Sequence, residues 1–340
     1  MTADLGQPPK APVMADVARL AGVSKQTVSR VINGSPALRP ATRLRVEAAI
    51  ERLGYRPNVA ARALVRGRTG VIGVISGGRG HFGPSSIQRG VEQAARDAGL
   101  FASSISLDEI TPELLDGSIE HLRRQLVEGI VVIAGHDDAA EVARRPSLGV
   151  PVVLVEGEQG RTRWSVGVDQ VAGGRLATRH LLGLGHREIA HVAGPRGWFE
   201  TRGRLEGWRS ELLAHDLRPR EPVHVDWSAS EGYAAGRELA RDPSVTAVFA
   251  ASDQIAMGVL RALHEAGRRV PEEVSVVGFD DLPETGYTIP PLTTVRQDFD
   301  TVGEAAVRLL TEVIDGRTEP SAPRVLPRLV VRASTATPHR

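Results

Sequence analysis

Short apolar runs rich in β-branched residues recur along the chain at Gly70–Ile75, Gly129–Ile133, Val150–Val155, Ile189–Ala193, Ala247–Ala250 and Val274–Gly278. Runs of this kind fit strands buried on both faces of a parallel sheet, which read as continuous rather than alternating. Between them lie stretches with apolar residues at helical spacing: Ile87–Ala98, Glu113–Leu126, Gly173–Leu184, Arg202–His215, Ser230–Arg241 and Ile255–Ala266. Such alternation admits few folds, because parallel strands joined by helices require right-handed βαβ crossovers. The pattern is too long for one comfortable sheet. An α/β body of two Rossmann-like lobes is expected, with a cleft at the carboxyl ends of the strands, where ligands sit in such sheets.

The N-terminal region follows a different rule. Ala15–Asn33 reads as two short helices about a tight turn, with Val17, Ala18 and Ala21 on one face of the first. Gly22 can adopt the positive φ of a sharp turn, Ser24 is a good N-cap for the second helix, and Asn33-Gly34 supplies a stop. Val28, Val31 and Ile32 form the inward stripe, which leaves Lys25, Gln26, Ser29, Arg30 and Asn33 pointing outward. A merely solvated helical hairpin has the same periodicity, and charge separates the two readings. Residues 1–68 carry 12 Lys and Arg against 4 Asp and Glu, a net of +8. The chain totals of 42 and 41 leave 30 against 37 for residues 69–340, a net of −7. A basic head on an acidic body fits a polyanionic partner, since Lys and Arg displace phosphate counterions.

A third helix is expected over Pro40–Leu53, with Gly54 ending it. Beyond it, Asn58 can cap a short Ala-rich segment that Gly67 releases. An isolated helix this short is marginal in water. Two readings therefore stay open: a flexible linker, or a segment that folds on DNA and wedges Leu64 between base steps in the minor groove.

Composition narrows the function classes. With 41% hydrophobic residues real cores can be filled, while zero cysteines exclude disulfides, thiolate metal sites and a cysteine nucleophile. No signal peptide is visible, and no run reaches the ~18 apolar residues of a membrane span, so a soluble, cytoplasmic protein is expected. Ser76-Gly-Gly-Arg-Gly80 lacks the Gly-Lys-Ser/Thr of a phosphate loop and is placed at the mouth of the cleft. His180 and His186 lack metal-ligand spacing and are assigned to packing. No Gly-x-Ser-x-Gly elbow and no catalytic constellation is found, which disfavours a sugar-modifying enzyme. A transport solute-binding protein is disfavoured by the basic head.

Several motifs occur in order: Val17–Asn33, Asn58-Val-Ala-Ala-Arg-Ala-Leu64, His180–His186, Val192-Ala-Gly-Pro195, Arg204-Leu-Glu-Gly-Trp208, Ser252–Gly258, Val277-Gly-Phe-Asp-Asp281 and Pro290–Gln297. Together they resemble the lactose-repressor (LacI/GalR) family of transcription factors, from about residue 13 to residue 332. The resemblance implies a helix-turn-helix head over residues 1–56, a hinge helix and linker over 57–69, and a body like that of periplasmic binding proteins. The body's N-terminal lobe would comprise 70–168 with about 298–326, and its C-terminal lobe 169–297 with about 327–340.

It also implies residue roles. Lys25, Gln26 and Arg30 take base-reading positions, and the chemistry fits: Arg pairs with guanine O6 and N7, Gln with adenine N6 and N7. Thr27, Ser29 and Asn33 hold phosphates or the register of the helix. Asn58 and Leu64 belong to the segment that orders on the operator. In the body, Arg204, Ser252 and Asp280 grip hydroxyls of a small ligand and Trp227 stacks on its apolar face, with Glu156 and Gln297 as second choices. Ser252 and Glu156 depart from lactose-binding relatives, which turns the expectation away from lactose itself. Trp208 is assigned to the core, and Asp253 and Asp281 to helix caps or a dimer contact. Arg39-Pro40 also departs from the family pattern, where a small hydroxyl residue often contacts phosphate.

The implied partners are double-stranded palindromic operator DNA, a small-molecule effector of the sugar class, and a second copy of the chain. No cofactor, metal or membrane is implied. The final residues carry no leucine heptads, so a homodimer without tail-driven tetramers is expected, associated with the nucleoid. The expected activity is repression relieved by a galactoside or glucoside inducer. The alternative is a purine-like corepressor that strengthens DNA binding.

Overall fold

The computed structural model describes residues 12–32, 38–55, 68–78, 80–143, 145, 149–155, 163–317 and 324–338. The chain divides into two compact units, Met1–Thr69 and Gly70–Arg340. Asn33, Asn58, Leu64 and Glu156 lie outside the described residues, as does segment 57–67.

In the first unit, α1 spans Met14–Ala21, α2 Lys25–Ile32 and α3 Pro40–Leu53. Gly22 turns the chain at φ +65°, in the left-handed region that glycine enters without steric cost. Ser24 then caps α2 through its hydroxyl, which accepts from the Thr27 amide at 3.1 Å. Val17, Val28 and Val46, one from each helix, are fully buried together and make the centre of a small core with Ala21, Ala49 and Tyr55.

The second unit contains two parallel sheets. Its elements run β1 (Val71–Ser76), α4 (Phe82–Asp97), β2 (Phe101–Ser106), α5 (Pro112–Arg124), β3 (Ile130–Ile133), α6 (Asp137–Ala143), β4 (Val152–Val155) and β5 (Ser165–Val166). These strands pair in the order β2-β1-β3-β4-β5, all parallel. There follow α7 (Gln170–Gly183), β6 (Ile189–Ala193), α8 (Phe199–Leu213), β7 (Val223–His224), α9 (Ala229–Ala240), β8 (Ala247–Ala250), α10 (Asp253–Glu265) and β9 (Ser275–Val277). The second sheet has the order β7-β6-β8-β9, again parallel.

β10 (Thr294–Arg296) leads into α11 (Phe299–Ile314), and β11 (Arg328–Val330) pairs antiparallel with β10. Helix α11 returns to the first lobe, burying Val302, Ala306 and Leu310 against Ile72, Val91 and Val131. At Gly303 its backbone lies so close to Gly90 of α4 that a Cβ would overlap the Gly90–Val91 peptide. The chain thus passes between the lobes near residues 167–169, 297–298 and 325–327, where Val168 and Val325 form a parallel bridge.

The junctions between strands and helices position the site. Thr111, Asp169, Ser228, Ser252 and Asp298 each cap the following helix with a side-chain oxygen. Trp208 is fully buried in the second lobe's core. His186 is held by Thr246, Ser275 and the Ala336 carbonyl, and His180 by Thr335. Both histidines serve packing. Neither Asp253 nor Asp281 caps a helix with its side chain. Asp253 accepts from the Leu282 amide (2.8 Å) and the Thr294 hydroxyl (2.6 Å), while Asp281 is clamped by Arg296 (2.6 Å) and Arg332 (2.5 Å). The two carboxylates brace the loop after β9.

Candidate functional site

On the head, the buried face of α2 fixes what its other face can offer. Val28 and Val31 point into the core, so Lys25, Gln26 and Arg30 stand exposed, with Thr27 and Ser29 half-buried beside them. The Thr27 hydroxyl lies 2.9 Å from that of Ser24, which ties it to the start of the helix. Residues 25, 26, 29 and 30 share one helical face. That face presents cations and a carboxamide, the donors that read guanine and adenine in the major groove.

In the body, a cleft between the lobes encloses about 690 Å³, part of it open to solvent. Its floor is a ring of four buried polar side chains drawn from distant parts of the chain. Arg204 of α8 donates from Nε to Gln170 Oε1 at 2.9 Å, and Gln170 Nε2 donates to Gln297 Oε1 at 2.9 Å. Gln297 Nε2 donates to Asp280 Oδ1 at 2.6 Å, and Arg204 Nη2 closes the ring 3.6 Å from the same oxygen. Arg204 also donates to the Ala251 carbonyl at 2.5 Å and packs its guanidinium 3.9 Å above the Phe279 ring. Only 4% of Arg204 and 8% of Asp280 is exposed, so this charge pair is held almost dry. Among the described residues Asp280 Oδ2 has no hydrogen-bond partner, leaving an acceptor for a ligand hydroxyl.

Burial pushes the Asp280 carboxyl up to about 6, against the pull of the Arg204 guanidinium and the Gln297 hydrogen bond. Its backbone is also unusual. Asp280 has φ +112° and Asp281 +59°, conformations that side chains other than glycine rarely adopt. The clamp on Asp281 and the Asp253 bond to Leu282 hold this loop in place, and strain so maintained is characteristic of functional sites.

Aromatic rings form the wall. Trp198 and Trp227 meet edge to face at 5.7 Å, and His81 and His136 from the first lobe approach Trp198 at 6.2 and 6.3 Å. The lobes also engage directly. Phe199 donates its amide to Gly135 O at 2.8 Å and buries its ring in the first lobe's core. One turn on, Arg202 makes a two-pronged contact with Asp137 at 2.9 and 3.1 Å.

Of the residues expected at the ligand site, Arg204, Asp280, Gln297, Ser252 and Trp227 all line this cleft. Ser252 has a second task, because its hydroxyl caps α10 by accepting from the Ile255 amide at 3.2 Å. Gln170, Trp198, Glu200, Gln254, His81 and His136 also line it and were not read from the sequence. Gln170, Trp198, His81 and Gln254 lie at or next to helix starts after strands, the one regularity that could have flagged them. The set of donors, acceptors and aromatic faces suits a polyhydroxylated ring, since each hydroxyl both donates and accepts. Among the described residues no group of carboxylates and histidines could hold a metal ion.

A helix-turn-helix unit and a two-lobed binding body in one chain define a class, the ligand-responsive regulators of transcription. Residues 13–58 match the model of bacterial regulatory proteins of the lacI family, and residues 178–335 that of the periplasmic binding protein-like domain. The chain is 39% identical over 336 residues to the HTH-type transcriptional regulator CelR of Thermobifida fusca, covering 95% of this chain and 98% of that one. It therefore belongs to the LacI family and is a transcriptional regulator, not an enzyme. The solved structure of the lac repressor dimer bound to operator and the anti-inducer ONPF matches with a TM-score of 0.87 at 33% identity, covering 96% of this chain and all of the other. The CelR–cellobiose complex matches with a TM-score of 0.70 at 35% identity, over 95% and 99% of the two chains.

Proposed function

We propose that this chain is a homodimeric repressor that binds palindromic operator DNA and releases it when a sugar occupies the cleft. The carrying observation is the closed ring of Arg204, Gln170, Gln297 and Asp280 beneath the Trp198–Trp227 wall. That arrangement offers a buried carboxylate oxygen, amide and guanidinium groups and an indole face, which together match a sugar's hydroxyl edge and its C–H face. A relative bound to cellobiose supports the sugar class. On the head, Lys25, Gln26 and Arg30 read bases while Thr27 and Ser29 hold the backbone. Two copies related by a two-fold axis would match the two halves of a palindrome.

Release follows from linkage. A sugar favouring one lobe arrangement over another shifts operator affinity by its differential binding, ~1–3 kcal/mol for ordinary allosteric coupling. Fluorescence anisotropy on a palindromic operator pool, with and without panels of sugars and purines, tests the reading. Loss of DNA binding on adding a sugar is expected. Tighter DNA binding on adding a purine, with no response to sugars, would overturn it.

A further inference from the structure

The cleft does not end at the polar ring. A second compartment of about 860 Å³, part of it open to solvent, adjoins it, and the two share His81, Trp198, Trp227 and Gln254. Its own walls come from Gly80, Pro195, Asp226 and Ser228. The Trp198–Trp227 pair thus lines two adjoining spaces rather than closing off one.

The outer compartment offers the chemistry of a second sugar position. Asp226 Oδ1 accepts from the Ser228 amide at 2.8 Å, which fixes the side chain, and its other oxygen faces no described protein donor. Gln254 adds an amide to the same lining, and Trp198 an aromatic surface. Charge limits the occupant further. Arg204 is the only Lys or Arg among the described lining residues of either compartment, and it is committed to Asp280, Gln170 and the Ala251 carbonyl. Burial holds the His81 imidazole below its ordinary range despite the nearby Asp226, so it supplies no cation near neutral pH. A phosphate would meet Asp226, Glu200 and Asp280, and among the described lining residues no uncommitted Lys or Arg would receive it.

Resting on the sugar reading above, we infer that the effector is a neutral glycan of at least two rings, one over the Arg204–Asp280 ring and the next against Trp198 within reach of Asp226. Monosaccharides fill only the inner compartment, and phosphorylated sugars are rejected.

Isothermal titration calorimetry on the full chain tests this with glucose, galactose, cellobiose, lactose, maltose and glucose 6-phosphate. At least one disaccharide is expected to bind tenfold or more tightly than its component monosaccharides, with glucose 6-phosphate the weakest. Asp226→Asn keeps the bond to Ser228 but replaces the outer acceptor by a donor, and should reduce the disaccharide-to-monosaccharide affinity ratio at least fivefold. Trp198→Phe keeps a ring on the wall and should reduce it less. Equal affinity for one ring and two, an unchanged ratio in Asp226→Asn, or preference for glucose 6-phosphate overturns the inference while leaving a sugar-responsive repressor intact. Failure of every sugar to bind overturns both.

Discussion

The buried carboxyl of Asp280 should make this protein less stable than it could be. A carboxyl raised from 3.8 to about 6 costs ~3 kcal/mol to keep ionised in the folded state at neutral pH, at about 1.4 kcal/mol per tenfold shift in protonation. That figure already contains the attraction of Arg204, because the guanidinium lowers the carboxyl while burial raises it. Asp280→Asn replaces the ionised side chain with a neutral one of the same shape. Asn can still accept from Gln297 Nε2, and it tolerates positive φ better than most residues, so the +112° backbone does not oppose the change. We expect the variant to unfold later in urea at pH 7.5, by on the order of 1–3 kcal/mol, while its response to effector is lost.

The pH dependence gives the sharper test. A carboxyl raised on folding binds its proton more tightly in the native state, so its contribution is present below about pH 4 and lost as pH rises through about 6. The stability gap between variant and wild type should therefore open between pH 4 and pH 7. Asp253 is also pushed well up, first by burial and then by the charge of Asp280. Asp253 titrates in both proteins, so comparing the two isolates most of the contribution from Asp280. Urea unfolding of the full chain at pH 4, 5.5 and 7.5, following the body's transition, would refute the reasoning if Asp280→Asn were the less stable protein at pH 7.5 or if the gap stayed constant.

Other consequences are separable. Ligand hydroxyls that donate to Asp280 favour its ionised form, so effector affinity in the wild type should fall about tenfold from pH 7 to pH 5, as calorimetry can show. Arg202→Ala removes the two-pronged contact with Asp137 across the lobes. Both side chains are partly exposed, so about 0.5–1 kcal/mol is at stake, and effector affinity should weaken two- to fivefold, on the order of that energy. Gly207→Ala would drive a Cβ into the Val171 carbonyl and the Arg175 amide where α7 and α8 touch, costing about 1–3 kcal/mol and lowering the thermal midpoint by a few degrees. Arg30→Ala should lower operator affinity by about 1–3 kcal/mol and relax the preference at a single base pair, read by anisotropy with operators changed one pair at a time.

What the sequence revealed depended on whether one period dominated a segment. Strands β1, β3, β4, β6, β8 and β9 are buried almost throughout, so their apolar runs could be read directly. Strand β2 could not. Phe101-Ala-Ser-Ser-Ile-Ser106 is an edge strand whose serines pair with Gln125, Glu92 and Gln88, so no apolar face appears in the string. Strands β5 and β7 are two residues each, below the reach of any pattern. Helix α11 carries the opposite signal, because Val302, Ala305, Ala306, Leu309 and Leu310 repeat at helical spacing.

The cleft was legible only where resemblance pointed to a residue. Gln170, Trp198 and His81 each stand alone in their local sequence and meet only because separate strands end at one edge. The strain at Asp280 was equally hidden, since an Asp-Asp pair does not announce a left-handed backbone.

That strained loop also suggests how the ring could reach the rest of the body. Gln297 bonds to both Asp280 and Gln170, and it follows β10 directly in the chain. The next residue, Asp298, caps α11 through the Thr301 amide, and α11 buries its apolar face in the first lobe rather than the second. The ring is thus built partly from one of the segments that join the lobes. A ligand hydroxyl donating to Asp280 Oδ2 would sit beside the Gln297–Oδ1 bond, and the Gln297 backbone is tied to the end of β10 and the start of α11. Packed helices shift as units because close-packed cores resist continuous deformation. A rearrangement at the ring that moved the Gln297 backbone would therefore reach the first lobe as a displacement of α11, whose cap is the next residue and whose apolar face is buried there.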